Sequence, residues 1–160
     1  MTFGDLVDSR HIVVCCGTGG VGKTTTAATL AIEGARRGRD AVVVTIDPAK
    51  RLASALGLEQ LSDTPSEIDR ARWNGAGLGR SHGGRLSALM LDTKSTFDAL
   101  VTRNAADPDQ AERILQNTFY RNVSGALGGT QEYMAMEKLH ELYDEGGFDL
   151  IVVDLSLIHI

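Results

Sequence analysis

One octapeptide constrains this chain more than any other feature. Residues 17–24 read GTGGVGKT and fit the pattern G-x-x-x-x-G-K-S/T through Gly17, Gly22, Lys23 and Thr24. Such a loop must be fed by a strand and must open a helix, and both are legible. Residues 11–16 (HIVVCC) form a short apolar, β-branched run that reads as a buried strand. Residues 23–37 read as a helix with Ala27, Leu30, Ala31, Gly34 and Ala35 on one face and Gly38 as its stop. Glycines let the loop amides turn inward toward phosphate oxygens, and the helix N-terminus adds its positive end. Lys23 then reaches the β and γ phosphates, and the Thr24 hydroxyl faces magnesium. The implied ligand is a nucleoside triphosphate, ATP with Mg2+. The expected contacts are Gly17, Thr18, Gly19, Gly20, Val21, Gly22, Lys23, Thr24 and Thr25.

Elsewhere, apolar runs alternate with helical patterns. Residues 41–46 (AVVVTI) read as a second buried strand, ended by Asp47 and Pro48, because proline cannot continue a central ladder. A short helix is expected at 50–58, a polar and partly helical stretch at 59–70, and a mobile glycine-rich loop at 74–84. Residues 85–92 read as a third strand. Helices follow at 93–104, 108–117 and 119–127, within a helical segment of about 93–146. The helix at 130–143 places Tyr133, Met136, Leu139 and Tyr143 on one face. Residues 150–153 form a fourth strand ending in Asp154. Strands separated by helices predict an α/β fold: a three-layer αβα sandwich around a mainly parallel sheet, of the P-loop NTPase kind.

Two carboxylates stand where chemistry gathers in such folds, at the carboxyl ends of strands. Asp154 closes the apolar run LIVVD, the pattern of a carboxylate that faces magnesium. Asp47 either orients an attacking water or caps the turn before Pro48.

Composition bounds the rest. The 160 residues carry a net charge of −5 with 42% hydrophobic residues, which fits one soluble domain and argues against a general nucleic-acid or membrane-surface binder. No run is long enough to span a bilayer, and MTFGDLVDSR lacks the apolar core of a signal peptide. The only cysteines, Cys15 and Cys16, are adjacent, so in a strand they point to opposite faces and do not bridge. A cytoplasmic protein is expected. His82 and His140 lack metal-ligand spacing.

GTGGVGKTTTAATLA followed by VVVTIDPAKRLASALG resembles the ArsA-type anion-pump ATPases and the related ATPases that target tail-anchored membrane proteins. GGTQEYMAMEKL leading into FDLIVVD is similar to the bacterial ArsA-like branch, with an actinobacterial flavour. The resemblance covers residues 10–154. Partitioning ATPases of the ParA and MinD type carry a D-x-D-P-Q-like segment where this chain has DPAKRL; a positioning ATPase of that type is the competing reading. The resemblance implies Mg-dependent ATP hydrolysis coupled to rearrangement of a dimer that moves or delivers a client. It assigns Asp47 to the hydrolytic water and Asp154 to the start of a nucleotide-sensing switch. It also implies a client groove among the helices of 93–146, to which Met134 and Met136 would belong unless they are helix-packing core. Thiols in ArsA proteins can respond to arsenite; Cys15 and Cys16 read instead as buried structural cysteines.

Two positions depart from the family pattern. Its loop is G-K-G-G-V-G-K-T, with a first lysine that reaches the partner's phosphates, and this chain has Thr18 there. The expected partner is a second ArsA-like subunit, in a homodimer or in a heterodimer with a paralogue; Thr18 points to a paralogue that keeps the lysine, and a weakly hydrolysing regulatory subunit is the alternative. After Asp154 the family continues with a Thr/Pro-containing switch, whereas this chain reads LSLIHI. Residues 155–160 read as a non-native tail of the kind a sequencing-adapter end encodes, making 1–154 the N-terminal part of one ATPase domain, cut off after the Asp154 strand.

Overall fold

The computed structural model describes residues 2–18, 20–46, 51–74, 83–124 and 130–156. Gly19, Asp47, His82, most of the 74–84 loop, the end of the 119–127 helix and residues 157–160 lie outside the described residues.

The β-branched runs build the middle of the sheet, where both faces are covered. β1 (Ile12–Gly17) pairs in parallel with β5 (Leu150–Ser156), β5 with β2 (Ala41–Thr45), and β2 with β4 (Leu86–Met90). A two-residue strand, β3 (Ser66–Glu67), adds antiparallel to β4 and completes the order β1-β5-β2-β4-β3. The mainly parallel α/β architecture expected from the alternating pattern is therefore present. Leu155 and Ser156 continue β5 and pair with Cys16 and Gly17.

Alternation along each strand sorts the two faces. Ala41, Val43, Leu86, Ala88, Leu150 and Val152 pack on one side against α2 (Lys23–Arg36) through Ala27, Leu30, Ala31 and Ala35. Val7 of α1 (Phe3–Ser9) and Leu52 of α3 (Arg51–Ala55) extend that layer. Trp73, at the end of α4 (Arg70–Trp73), closes its rim and donates its indole N–H to the Ile68 carbonyl at 3.1 Å. On the opposite side, Val42, Val44, Leu89, Ile151 and Val153 lie under Leu142 of α8 (Thr130–Asp144). Ile46 and Leu91 meet Met134 and Ala135 there, beside Phe97 and Leu100 of α5 (Thr93–Asn104). Asp107 caps α6 (Pro108–Gln116), and Asn117 caps α7 (Thr118–Val123). The Tyr120 hydroxyl donates to Asp98 at 2.6 Å and ties α7 to α5.

Several expectations change. β1 is an edge strand among the described residues, not a buried one: Val14 is 49% exposed, because β5 is inserted between β1 and β2. Cys15 is half-buried and Cys16 exposed, so neither is the fully buried cysteine expected. The 59–70 stretch holds β3 rather than a helix before Arg70. The face of α8 that carries Tyr133, Met136 and Tyr143 is exposed. Met134, Ala135, Lys138 and Leu142 form its packed face, so Met134 is core while Met136 is surface. A methionine two positions along a helix turns through about 200°, which separates the pair.

α1 was not foreseen, although its capping box is plain in TFGD. The Thr2 hydroxyl accepts from the Asp5 amide at 3.2 Å, and Asp5 accepts from the Thr2 amide at 2.7 Å.

One glycine fixes how β4 starts. A Cβ on Gly84 would stand 2.5 Å from the Ala35 carbonyl oxygen and 2.8 Å from the Arg39 nitrogen, all backbone that cannot give way. Gly84→Ala is expected to destabilise the fold by about 3 kcal/mol, the upper range for overpacking. For a chain of this size that lowers the melting temperature by about 10 °C, readable by circular dichroism.

Candidate functional site

The carboxyl ends of β1, β2 and β5 meet the N-terminus of α2. Strand register puts Cys15, Asp154 and Thr45 side by side in one row across three strands. In a parallel sheet such matched residues share a face, here the face that carries α2.

The loop into α2 is shaped by backbone conformation. Gly20 and Gly22 have φ of 79° and 86°, while a Cβ at either would meet open space. Left-handed geometry, not crowding, therefore demands glycine there. Gly22 caps α2 without any side-chain acceptor, so the first amides of the helix are left for an anion. Lys23 Nζ donates to the Thr18 carbonyl at 2.6 Å, folding its ammonium back over the loop. Gly17 ends β1, Thr18 and Val21 are exposed in the loop, and Thr25 lies in the first turn of α2. Gly19 is outside the described residues.

Asp154 is 2% exposed. Its Oδ2 accepts from the Thr24 hydroxyl at 2.8 Å and from the Thr45 hydroxyl at 3.2 Å. Its Oδ1 is buried and has no hydrogen-bond partner among the described residues. A buried carboxylate oxygen without a partner is costly unless something binds it. With Thr24 donating its only hydrogen to Asp154, its oxygen can serve any further partner only through its lone pairs. A carboxylate oxygen and a hydroxyl oxygen beside a phosphate loop are the donor set a hard cation such as Mg2+ prefers. The residues present fit that ion. Cys15 adjoins the row, and burial pushes its thiol pKa up, with the charge of Asp154 and then Cys16 adding to the effect.

The structure thus brings Lys23, Thr24 and Asp154 together; Asp47 falls outside the described residues. Thr45 was missed in the sequence reading. Its only signal is a hydroxyl ending an otherwise apolar strand, AVVVT.

The sequence matches the family described as anion-transporting ATPase (ArsA type) over residues 10–156. The chain belongs to that family. Among curated relatives, a Halobacterium salinarum protein named as a putative arsenical pump-driving ATPase is 28% identical over 152 residues, covering 94% of this chain and 22% of the relative. ATPase ASNA1 homolog 1 of Paramecium tetraurelia is 29% identical over 142 residues, covering 88% and 38%. ATPase GET3 of Malassezia globosa is 25% identical over 157 residues, covering 97% and 42%. The chain spans well under half the length of these relatives. Among the described residues no helix is long and apolar enough to cross a membrane.

Proposed function

We propose that this chain binds MgATP on the loop from Gly17 to Thr25 and belongs to a cytoplasmic ATPase that couples nucleotide state to dimer rearrangement. Family membership supports ATP as the ligand. The observation that carries the metal reading is the Thr24–Asp154 hydrogen bond beside the unpartnered Asp154 Oδ1.

In this reading the loop amides and the α2 N-terminus hold the β and γ phosphates. Lys23 leaves the Thr18 carbonyl and donates to the phosphate oxygens as charge develops on them. Thr24 and Asp154 hold Mg2+, which when bound neutralises phosphate charge. Asp47 orients a water toward the γ phosphorus. The bond from the water oxygen to the γ phosphorus forms as the bond from that phosphorus to the β–γ bridging oxygen breaks, yielding ADP, phosphate and a proton. Relatives named for arsenical pump driving and for the GET3 and ASNA1 ATPases support a transporter or membrane-protein client. No nucleic-acid partner is expected.

The test is metal-dependent nucleotide binding. Asp154→Asn is expected to weaken Mg-dependent ATP binding by about ten- to a hundredfold while sparing metal-free ADP binding. Calorimetric titration with and without EDTA reads both. Equal loss in the two conditions would rule out a metal role for Asp154.

Thr18 favours a second reading, a subunit that binds ATP tightly and hydrolyses it slowly unless a lysine-bearing paralogue completes the dimer.

A further inference from the structure

We propose that Thr45 is a positioning residue that aims the Asp154 carboxylate at the metal. The role rests on reading Asp154 as a metal-supporting group.

Thr45 ends β2 and is the strand's single polar side chain after Ala41, Val42, Val43 and Val44. It is 2% exposed. A valine would suit the strand equally, so packing alone does not call for a hydroxyl. The parallel register sets Thr45 directly beside Asp154. Its hydroxyl donates to Asp154 Oδ2 at 3.2 Å, the same oxygen that accepts from Thr24 at 2.8 Å.

Two donors from different elements converge on one oxygen. Thr24 comes from α2 and Thr45 from β2. Together they fix the rotation of the carboxylate and leave Oδ1 as the oxygen with no partner. The two donors are not equivalent. Thr24 lies in the first turn of the helix behind the phosphate loop. Thr45 lies in β2, between β5 and β4 in the sheet. Thr45 therefore gives the carboxylate a hold that does not come from the phosphate loop. Partners that orient metal-supporting groups typically govern metal affinity by ten- to a hundredfold.

The experiment uses the whole chain with ADP, and Mn2+ as a paramagnetic substitute for Mg2+, read by electron paramagnetic resonance titration. Metal-free ADP binding in EDTA serves as the control for folding. Thr45→Val is expected to weaken Mn2+ binding to the ADP complex by about tenfold or more, with metal-free ADP binding unchanged. Thr45→Ser is expected to stay within about twofold of the unmodified chain, because the hydroxyl is kept. A purely structural role predicts the reverse order, since valine keeps the shape and serine loses the methyl. Unchanged Mn2+ affinity in Thr45→Val overturns the proposal. So does a loss in Thr45→Ser equal to that in Thr45→Val, a criterion that holds even where the valine variant folds poorly. If the unmodified chain binds ADP with no Mn2+ at Asp154, the metal reading itself fails, and the wild-type titration alone distinguishes that result.

Discussion

Replacing Lys23 with alanine is expected to lower ATP turnover by about a thousandfold and to weaken ATP binding by about a hundredfold. Lys23 is the only cation among residues 17–25, in a chain whose net charge is −5. The triphosphate therefore meets one local positive side chain, and no neighbouring lysine or arginine in the loop can take its place. Before nucleotide arrives, its ammonium rests on the Thr18 carbonyl at 2.6 Å, a contact made to backbone rather than to an acid. Exchanging a neutral carbonyl for anionic phosphate oxygens is favourable, because the ammonium then meets a full opposite charge rather than a carbonyl dipole. The larger share falls on the transition state, where a single preorganised donor is worth about a hundred- to a thousandfold in rate. Lys23 is partly exposed and makes no ion pair among those described, so the melting temperature should change little. Phosphate-release kinetics and titration with a fluorescent ATP analogue separate the two effects. Wild-type affinity in Lys23→Ala would remove the loop from the site.

The second large effect is a gain. In a dimer of the kind proposed, Thr18→Lys is expected to raise turnover by about a thousandfold and to leave ATP affinity within a fewfold. Cations supplied across an interface to a transferring phosphoryl group contribute about a thousand- to a hundred-thousandfold where they are essential. The substitution is compatible with the loop as it stands. Thr18 is exposed, and it holds Lys23 through its carbonyl, which any side chain retains. Mixing the unmodified chain with a lysine-bearing relative should give a comparable rise without mutation. A Thr18→Lys chain that forms dimers yet turns over no faster than the parent would exclude a trans cation as the missing element.

Much of this architecture was legible because each segment carries its own instruction. The β-branched runs at β2 and β5 and the small-residue face of α2 were readable from local pattern, and all five residues assigned to that face are buried. What pattern could not supply was neighbour order. HIVVCC is as apolar as AVVVTI, yet it lies at the edge, because exposure of a strand depends on which other strands flank it. The same holds for α8. Tyr133, Met136 and Tyr143 share a face by spacing, but spacing cannot say which face meets the sheet, and the narrower stripe of Met134, Ala135 and Leu142 does so. At the site, Lys23 and Thr24 were identified by motif and Asp154 by its place at a strand end. Thr45 escaped because its significance is a cross-strand contact with a residue far along the chain. Asp47, assigned through family resemblance, stays a proposal.

The order β1-β5-β2 has a kinetic meaning. Among the described strands β5 comes latest in sequence, and it is the one that must enter between two strands made long before. The hydroxyl contacts that fix Asp154 close loops of 130 and 109 positions. Contacts of such separation form late, after the local helices, because the chain entropy lost on closure must be met before they stabilise anything. β1 and β2 therefore wait as unjoined neighbours while the phosphate loop already exists in sequence. A nascent chain stalled before residue 150 would possess the loop and its lysine but no carboxylate beside them. On the proposed metal reading, competence to respond to magnesium would then appear in one step, with the insertion of β5 between β1 and β2.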